Sequence, residues 1–129
     1  IWTIRSVAMA DSGALGGELM PSKYHARKTV VDGITFDSKR EAKRYGELKL
    51  LERAGAIKGL QRQVPYELIP SFDVDGKHYR PTVYIADFTY TDAKTGEEIV
   101  EDCKGYRTDI YRLKSKIFAH KYGVVILET

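Results

Sequence analysis

The C-terminal third of the chain carries the pattern that most restricts its fold, a strand, a helix and a strand in succession. Residues 97–104 are predicted to form a strand that Gly105 ends, and residues 110–122 follow as an amphipathic helix. Gly123 ends this helix, and residues 124–127 are a short apolar run, as expected for a buried strand. This strand–helix–strand step needs a right-handed parallel crossover. The chain is therefore predicted to build a sheet with helices packed on it.

The upstream elements extend this pattern. Ser38 and Glu41 match a capping box, and good helix formers follow through residue 54. Residues 61–69 and 82–91 are predicted strands, which can run antiparallel with the strand at 97–104 because short turns join them. The order helix, three strands, helix, strand predicts an α/β fold with a mixed sheet flanked by helices.

Shorter signals fill in the remaining elements. Asp32-Gly33 and Asp75-Gly76 each predict a tight turn within a short hairpin, and Gly55 is a natural stop for the first helix. The predicted inner faces of the two helices consist of Tyr45, Leu48 and Leu51 in the first, and Ile110, Leu113 and Ile117 in the second.

Composition limits the class of protein. The chain has 129 residues, is 43% hydrophobic and 30% charged, and carries a net charge of +3. This mixture is typical of a soluble globular domain, and no stretch approaches the ~18 apolar residues of a membrane span. Its single cysteine, Cys103, excludes an internal disulfide and fits a reducing cytosol. Residues 1–20 are expected to be a poorly ordered extension or added remnant outside a folded domain at 21–129.

Charge is distributed unevenly along the chain. Residues 23–53 hold nine Lys and Arg against five Asp and Glu, and residues 104–121 hold six against one. The stretch at 54–103 holds five against nine. Two basic segments that flank an acidic one suit a surface that grips a polyanion around a carboxylate cluster. The alternative is two solvated helix faces beside an acidic hairpin.

The central strands carry the residues that suggest chemistry. Alternation places Asp87 among apolar neighbours, and it places Asp102 and Lys104 on one face with Cys103 pointing away. Mg²⁺ prefers oxygen ligands, so Asp87, Asp102 and the backbone carbonyl of Cys103 are candidate metal ligands for phosphodiester hydrolysis. Lys104 would be the cationic partner that offsets charge on the phosphate. The alternative is an ordinary ion pair between Asp102 and Lys104.

Glu41 is a further candidate. It is spaced with Tyr45, Leu48 and Leu51 along the predicted inner face of the first helix. Its alternative role is the capping-box glutamate of its own helix. The sequence does not separate the two roles.

In this order, these residues resemble the PD-(D/E)XK nuclease superfamily, whose restriction-endonuclease-like core runs α-β-β-β-α-β. The signature of that superfamily is an Asp on the second strand and D/E-x-K on the third, often with a Glu on the first helix. Asp87, Asp102-Cys103-Lys104 and Glu41 match it, and Ala86 replaces the proline of the PD pair. More closely, residues 21–129 resemble a family of small phage-encoded proteins of unassigned function, related to Holliday-junction resolvases of the phage endonuclease I type.

The resemblance implies a Mg²⁺-dependent DNA endonuclease, with Mn²⁺ as a substitute, in the cytoplasm of the bacterial host cell. Glu41, Asp87, Asp102 and Lys104 would be catalytic, with Glu41 reaching the metal through water. Branched or junction DNA from phage recombination or replication is the expected substrate, and a homodimer suits the two matched incisions that a junction needs. The expected DNA contacts are Lys39, Arg40, Lys43, Arg107, Lys114 and Lys116. The alternatives are a nucleic-acid-binding module without activity and a structural or interaction protein of a phage particle.

Overall fold

The computed structural model describes residues 28–104 and 106–129, so the expected extension at 1–20 lies outside the described residues. The elements are β1 (Thr29–Val31), β2 (Ile34–Phe36), α1 (Lys39–Arg53), β3 (Ile57–Ile69), β4 (Phe72–Val74), β5 (Lys77–Tyr79), β6 (Thr82–Asp92), β7 (Glu98–Asp102), α2 (Asp109–Tyr122) and β8 (Leu127–Glu128). The protein is thus mixed α/β, as the sequence predicts. The described part divides into two compact units, one of residues 61–89, 99–104 and 106–129, and one of residues 28–60 and 90–98.

Helix α1 begins and ends where its cap residues predict. The Ser38 hydroxyl accepts the N–H of Glu41 at 3.1 Å, which satisfies one of the unpaired donors of the first turn. At the other end, Gly55 has φ +81°. Its N–H donates to the Glu52 carbonyl at 3.0 Å and the N–H of Ala56 donates to the Leu51 carbonyl at 2.9 Å. This is the Schellman pattern, which needs a residue with positive φ just past the helix.

The buried face of α1 differs in part from the predicted stripe. Glu41, Tyr45 and Leu48 are buried as predicted, but Leu51 is 38% exposed, and Ala42 is buried as well. The Tyr45 ring lies 5.1 Å from the ring of Phe36 on β2, measured between centroids. The stripe therefore shifts toward the start of the helix, where the β1–β2 hairpin supplies an aromatic partner.

One four-stranded sheet contains the predicted strands in the order β3-β6-β7-β8, and β3, β6 and β7 each contribute residues to both units. β3 begins four residues before its predicted start and lies at an edge, where its proline at position 65 is tolerated. β7 and β8 are parallel, with Glu101 opposite Leu127 and Asp102 opposite Glu128. The two predicted hairpins, β1–β2 and β4–β5, form separate two-stranded sheets.

Helix α2 packs on the sheet through a face that differs in part from the predicted one. Ile110 and Leu113 are 68% and 57% exposed, whereas Tyr111 and Phe118 are buried against a core that includes Tyr84. The prediction was wrong for these two aliphatic residues, because the large aromatic rings bury more area, but Ile117 packs against this core as predicted. Thr108 caps α2 by accepting the N–H of Tyr111 at 3.0 Å, and Gly123 ends it with φ +69°.

The last strand is shorter than its predicted apolar run. β8 comprises Leu127 and Glu128 only, and within residues 124–127 Ile126 alone is buried. Val125 is 84% exposed. The prediction of a continuously buried strand at 124–127 was wrong, because among the described residues β8 meets a partner strand on one side only, the side of β7.

Candidate functional site

Asp87 and the Asp102-Cys103-Lys104 segment meet where β7 ends. The N–H of Lys104 donates to the Thr129 carbonyl at 3.1 Å, and the N–H of Thr129 donates to the Asp102 carbonyl at 3.0 Å, so these backbone groups point toward β8. The N–H of Cys103 points the other way and donates to Oδ2 of Asp87 at 2.9 Å. The side chain of Asp87 thus replaces a strand carbonyl as the partner of this amide. β7 consequently ends at Asp102, two residues before its predicted end.

This hydrogen bond limits the separation of the two carboxylates. Bond lengths place the carboxyl carbon of Asp102 within about 6 Å of the Cys103 nitrogen. That carbon therefore lies within about 9 Å of the Asp87 oxygen, given the 2.9 Å hydrogen bond. Both residues belong to the same compact unit. The other oxygen of Asp87 lies 3.5 Å from the amide nitrogen of Gln63, at the limit of a hydrogen bond.

The carboxylate of Asp102 is buried and has a different partner at each oxygen. Oδ1 lies 3.1 Å from Nζ of Lys104, and Oδ2 accepts the Tyr84 hydroxyl at 2.5 Å. The Asp102 side chain is 3% exposed and that of Lys104 is 27% exposed. A carboxylate removed from water in this way requires a cation and a hydrogen-bond donor to offset its desolvation. The same-face pairing of Asp102 with Lys104 is therefore present as an ion pair.

An aromatic ring completes the surroundings of Lys104. The ammonium nitrogen lies 4.3 Å from the centre of the Tyr111 ring, within the range of a cation–π interaction. The Tyr111 hydroxyl donates to Oε2 of Glu128 at 2.9 Å, and the other oxygen of Glu128 lies 2.5 Å from Nη2 of Arg107. Arg107, a predicted DNA contact, thus has a carboxylate partner.

Burial changes the acidity of the two tyrosines at the site. Burial raises the pKa of the Tyr84 hydroxyl well above its ordinary value, and the charge of Asp102 and the hydrogen bond to it raise the pKa further. The pKa of Tyr111 is also raised, first by burial and then by the hydrogen bond to Glu128 and its charge. Both hydroxyls therefore stay protonated and act as donors toward their carboxylates at neutral pH.

Glu41 belongs to the other compact unit. It lies in the first turn of α1 and is 9% exposed. Its backbone N–H donates to the Ser38 hydroxyl, so Ser38 caps the helix at the position predicted from the sequence. Its role in a metal site stays a prediction.

The predicted DNA contacts are mostly at the surface. Lys39, Arg40 and Lys43 are exposed on α1, Arg107 and Lys116 are exposed, and Lys114 is half-buried on α2. The first three belong to one compact unit and the last three to the other. Exposed Lys and Arg side chains can contact phosphates or remain solvated.

The oxygen groups at the end of β7 suit a hard divalent cation. Among the described residues, no group of three or more His, Cys, Asp and Glu side chains is placed to hold a metal ion. Mg²⁺ does not need such a group, because it usually binds one or two carboxylates and keeps water or phosphate as further ligands. Asp87 and Asp102 supply two carboxylates, and a carboxylate oxygen can accept a hydrogen bond and bind a cation at the same time. The donor set thus fits Mg²⁺.

Sequence reasoning missed several members of this site. Tyr84 and Tyr111 are buried in the core, and their hydroxyls also bind carboxylates, which the sequence did not predict. It did not single out Glu101, which is fully buried and accepts the Thr129 hydroxyl at 3.0 Å. A buried tyrosine hydroxyl usually has a partner, which was the available signal, but the identity of that partner depends on the packing of distant segments.

The fold and the site define a mixed α/β protein with a buried carboxylate–lysine cluster at the end of a central strand. The chain belongs to a family described as "Protein of unknown function (DUF1064)", whose family profile matches residues 21–128. Comparisons with curated proteins and with solved structures found no match. Among the helices of the described residues, none is long and apolar enough to cross a membrane.

Proposed function

We propose that this protein is a metal-dependent DNA endonuclease that hydrolyses phosphodiester bonds. The observation that carries the proposal is the hydrogen bond from the Cys103 amide to the Asp87 carboxylate, which brings Asp87 beside the Asp102–Lys104 pair. Asp87 comes from the middle of β6, and Asp102 and Lys104 lie at and just past the end of the adjacent strand β7. Two carboxylates and a lysine are groups that metal-assisted phosphoryl transfer can use. The order of helices and strands along the chain also agrees with a restriction-endonuclease-like core.

The residues of the cluster would have different roles in the reaction. Asp87, Asp102 and the carbonyl of Cys103 would hold Mg²⁺, which supplies positive charge to the scissile phosphate when bound. Lys104 is held at the edge of this cluster with its side chain partly exposed, so its ammonium can approach a phosphate oxygen. Its charge stabilises the phosphate most when negative charge grows there in the transition state.

The ion pair itself favours a second candidate function. With Asp102 bound by Lys104 and Tyr84, the cluster is already satisfied without a metal, as a purely structural buried pair would be. A nucleic-acid-binding module that cleaves nothing would have this property. The two functions differ in whether Lys104 is needed for a chemical step.

Mutation of single lysines separates these functions. Wild-type protein is tested on junction, flap, single-stranded and duplex DNA with Mg²⁺, Mn²⁺ or EDTA. Lys104→Ala should lower single-turnover cleavage about a hundredfold or more, because it removes a charge that acts in the transition state. It should weaken DNA binding by no more than one phosphate contact. Lys116→Ala should mainly weaken binding and reduce the salt slope by about 0.9, the value for one phosphate of duplex DNA.

Lys94→Ala is the matched control, because Lys94 is an exposed lysine in the turn between β6 and β7. It should change neither cleavage nor binding. Tight binding by the wild type without cleavage under any metal would favour the binding module. Equal cleavage by Lys104→Ala and the wild type would contradict the assignment of Lys104.

A further inference from the structure

Lys104 is held from two sides. Its ammonium lies 3.1 Å from Oδ1 of Asp102 and 4.3 Å from the centre of the Tyr111 ring. A lysine has a flexible four-carbon stem and otherwise samples many rotamers. The negative face of a tyrosine ring attracts an ammonium group. The Tyr111 ring and the Asp102 carboxylate therefore both restrain the position of the Lys104 ammonium.

Tyr111 is itself fixed at three points. Its N–H donates to the Thr108 hydroxyl at 3.0 Å, which anchors its backbone in the first turn of α2. Its hydroxyl donates to Glu128 at 2.9 Å, and its side chain is buried in the core. Glu128 in turn is paired with Arg107 at 2.5 Å. The ring therefore has little freedom to turn away from Lys104.

We propose that Tyr111 is a positioning residue for Lys104 and that Glu128 fixes the orientation of Tyr111. This inference rests on the proposed function, because it assigns Lys104 a chemical role. Tyr111 is buried in the core, so its contribution to the reaction would pass through Lys104. Its loss should therefore lower the rate of the chemical step and leave DNA affinity unchanged.

Residue-resolved amine labelling tests the contact without any cleavage assay. The protein is treated with acetic anhydride, and the labelling rate of Lys104 is compared with that of exposed Lys94 by mass spectrometry. Tyr111→Leu should raise this ratio about three- to thirtyfold, the range that corresponds to the loss of one cation–π contact. Tyr111→Phe keeps the ring but loses its anchor, so it should give a smaller rise.

Two further variants protect the test against misfolding. Glu128→Gln keeps the shape of a half-buried side chain and removes the charge that pairs with Arg107, so it should also raise Lys104 labelling. Tyr122→Phe is the matched control, because it removes a hydroxyl from the same helix that donates to the Glu67 carbonyl at 2.8 Å. It should leave Lys104 labelling unchanged. Thermal melts identify any variant that does not fold.

Single-turnover cleavage by the same variants tests the link to function. Tyr111→Leu should slow cleavage about three- to thirtyfold with an unchanged Kd for DNA. Unchanged Lys104 labelling in Tyr111→Leu and Glu128→Gln overturns the inference, whether or not the protein cleaves DNA. Raised labelling with unchanged cleavage also overturns it. If the wild type cleaves nothing, the proposed function fails, and the labelling alone decides whether Tyr111 holds Lys104.

Discussion

At the scale of single residues, the carboxylate of Asp102 determines how the cluster is built. One oxygen binds a cation and the other binds a neutral hydroxyl, so the buried charge is offset without a second positive group. The Tyr84 hydroxyl stays protonated because burial and the adjacent carboxylate both disfavour a phenolate. The stability of the protein therefore depends on keeping this proton.

We predict that Tyr84 makes the protein sensitive to alkaline pH. The pKa of Tyr84 is raised in the folded state, so its contribution is complete below the unfolded pKa of about 10 and is lost as the pH rises above that value. In this range a tyrosine can be protonated in the folded state and ionised in the unfolded state. For each such tyrosine, the free energy of unfolding falls by about 1.4 kcal/mol as the pH rises by one unit. Tyr84→Phe should therefore show a shallower decline above pH about 10.

Urea unfolding between neutral and alkaline pH measures this slope. At neutral pH, Tyr84→Phe should also lower the free energy of unfolding by about 1.5–3 kcal/mol, because Asp102 loses a hydrogen bond. Tyr106→Phe is the control, since Tyr106 is 79% exposed. The decline should persist in part in Tyr84→Phe, because the pKa values of Tyr111 and Tyr122 are also raised by burial. Parallel pH curves for the wild type and Tyr84→Phe would contradict the prediction.

The sequence identified some members of this cluster but not their contacts. Asp102 and Lys104 are two residues apart, so local alternation predicted that they share a face and left an ion pair as one of two alternatives. Asp87 was predicted near them because β6 and β7 are joined by a short turn. The contacts of Tyr84 and Tyr111 depend on the packing of α2 against the sheet, which residue spacing does not determine.

At the scale of elements, helix ends were more predictable than strand ends. Ser38, Gly55 and Gly123 terminate helices through local backbone chemistry, and each was predicted from the sequence. The end of β7 at Asp102 was not, because a side chain from a neighbouring strand takes the next amide. Strand boundaries thus depend on contacts between segments that are far apart in the sequence.

We predict opposite effects of the same substitution at two glycines, one inside α1 and one just past its end. Gly46 lies inside the helix, and a Cβ added there would meet no atom within 4 Å. Gly46→Ala should therefore raise the free energy of unfolding by about 0.5–1 kcal/mol, the helix propensity difference. Gly55 has φ +81°, so Gly55→Ala should lower it by about 1–2 kcal/mol.

Chemical denaturation of the two variants beside the wild type tests this contrast. The two sites share one helix and one substitution, so each variant is the matched control for the other. A loss of stability in Gly46→Ala would contradict the packing around α1. A neutral Gly55→Ala would show that the Schellman cap contributes little to the helix.

At the scale of the whole molecule, the known facts are the family and the mixed α/β architecture. The order of elements along the chain was predictable, because each turn or cap residue marks a boundary. The activity, the DNA substrate, a homodimer and a cytoplasmic location stay predictions. Metal binding at the candidate site can be tested through the unfolding of the whole protein, which requires no substrate.

We predict that Mg²⁺ or Mn²⁺ stabilises the folded protein through Asp87 and Asp102. A ligand that binds only the folded state stabilises it by mass action, by about 2.7 kcal/mol at one hundred times its dissociation constant. Thermal unfolding with increasing Mg²⁺ should therefore shift upward, and Asp87→Asn and Asp102→Asn should lose most of that shift. Asp75→Asn is the control, because Asp75 is an exposed turn residue with φ +49°, a conformation that Asn tolerates. If all three variants shift as the wild type does, the cation binds elsewhere, and the proposed metal site at the end of β7 is wrong.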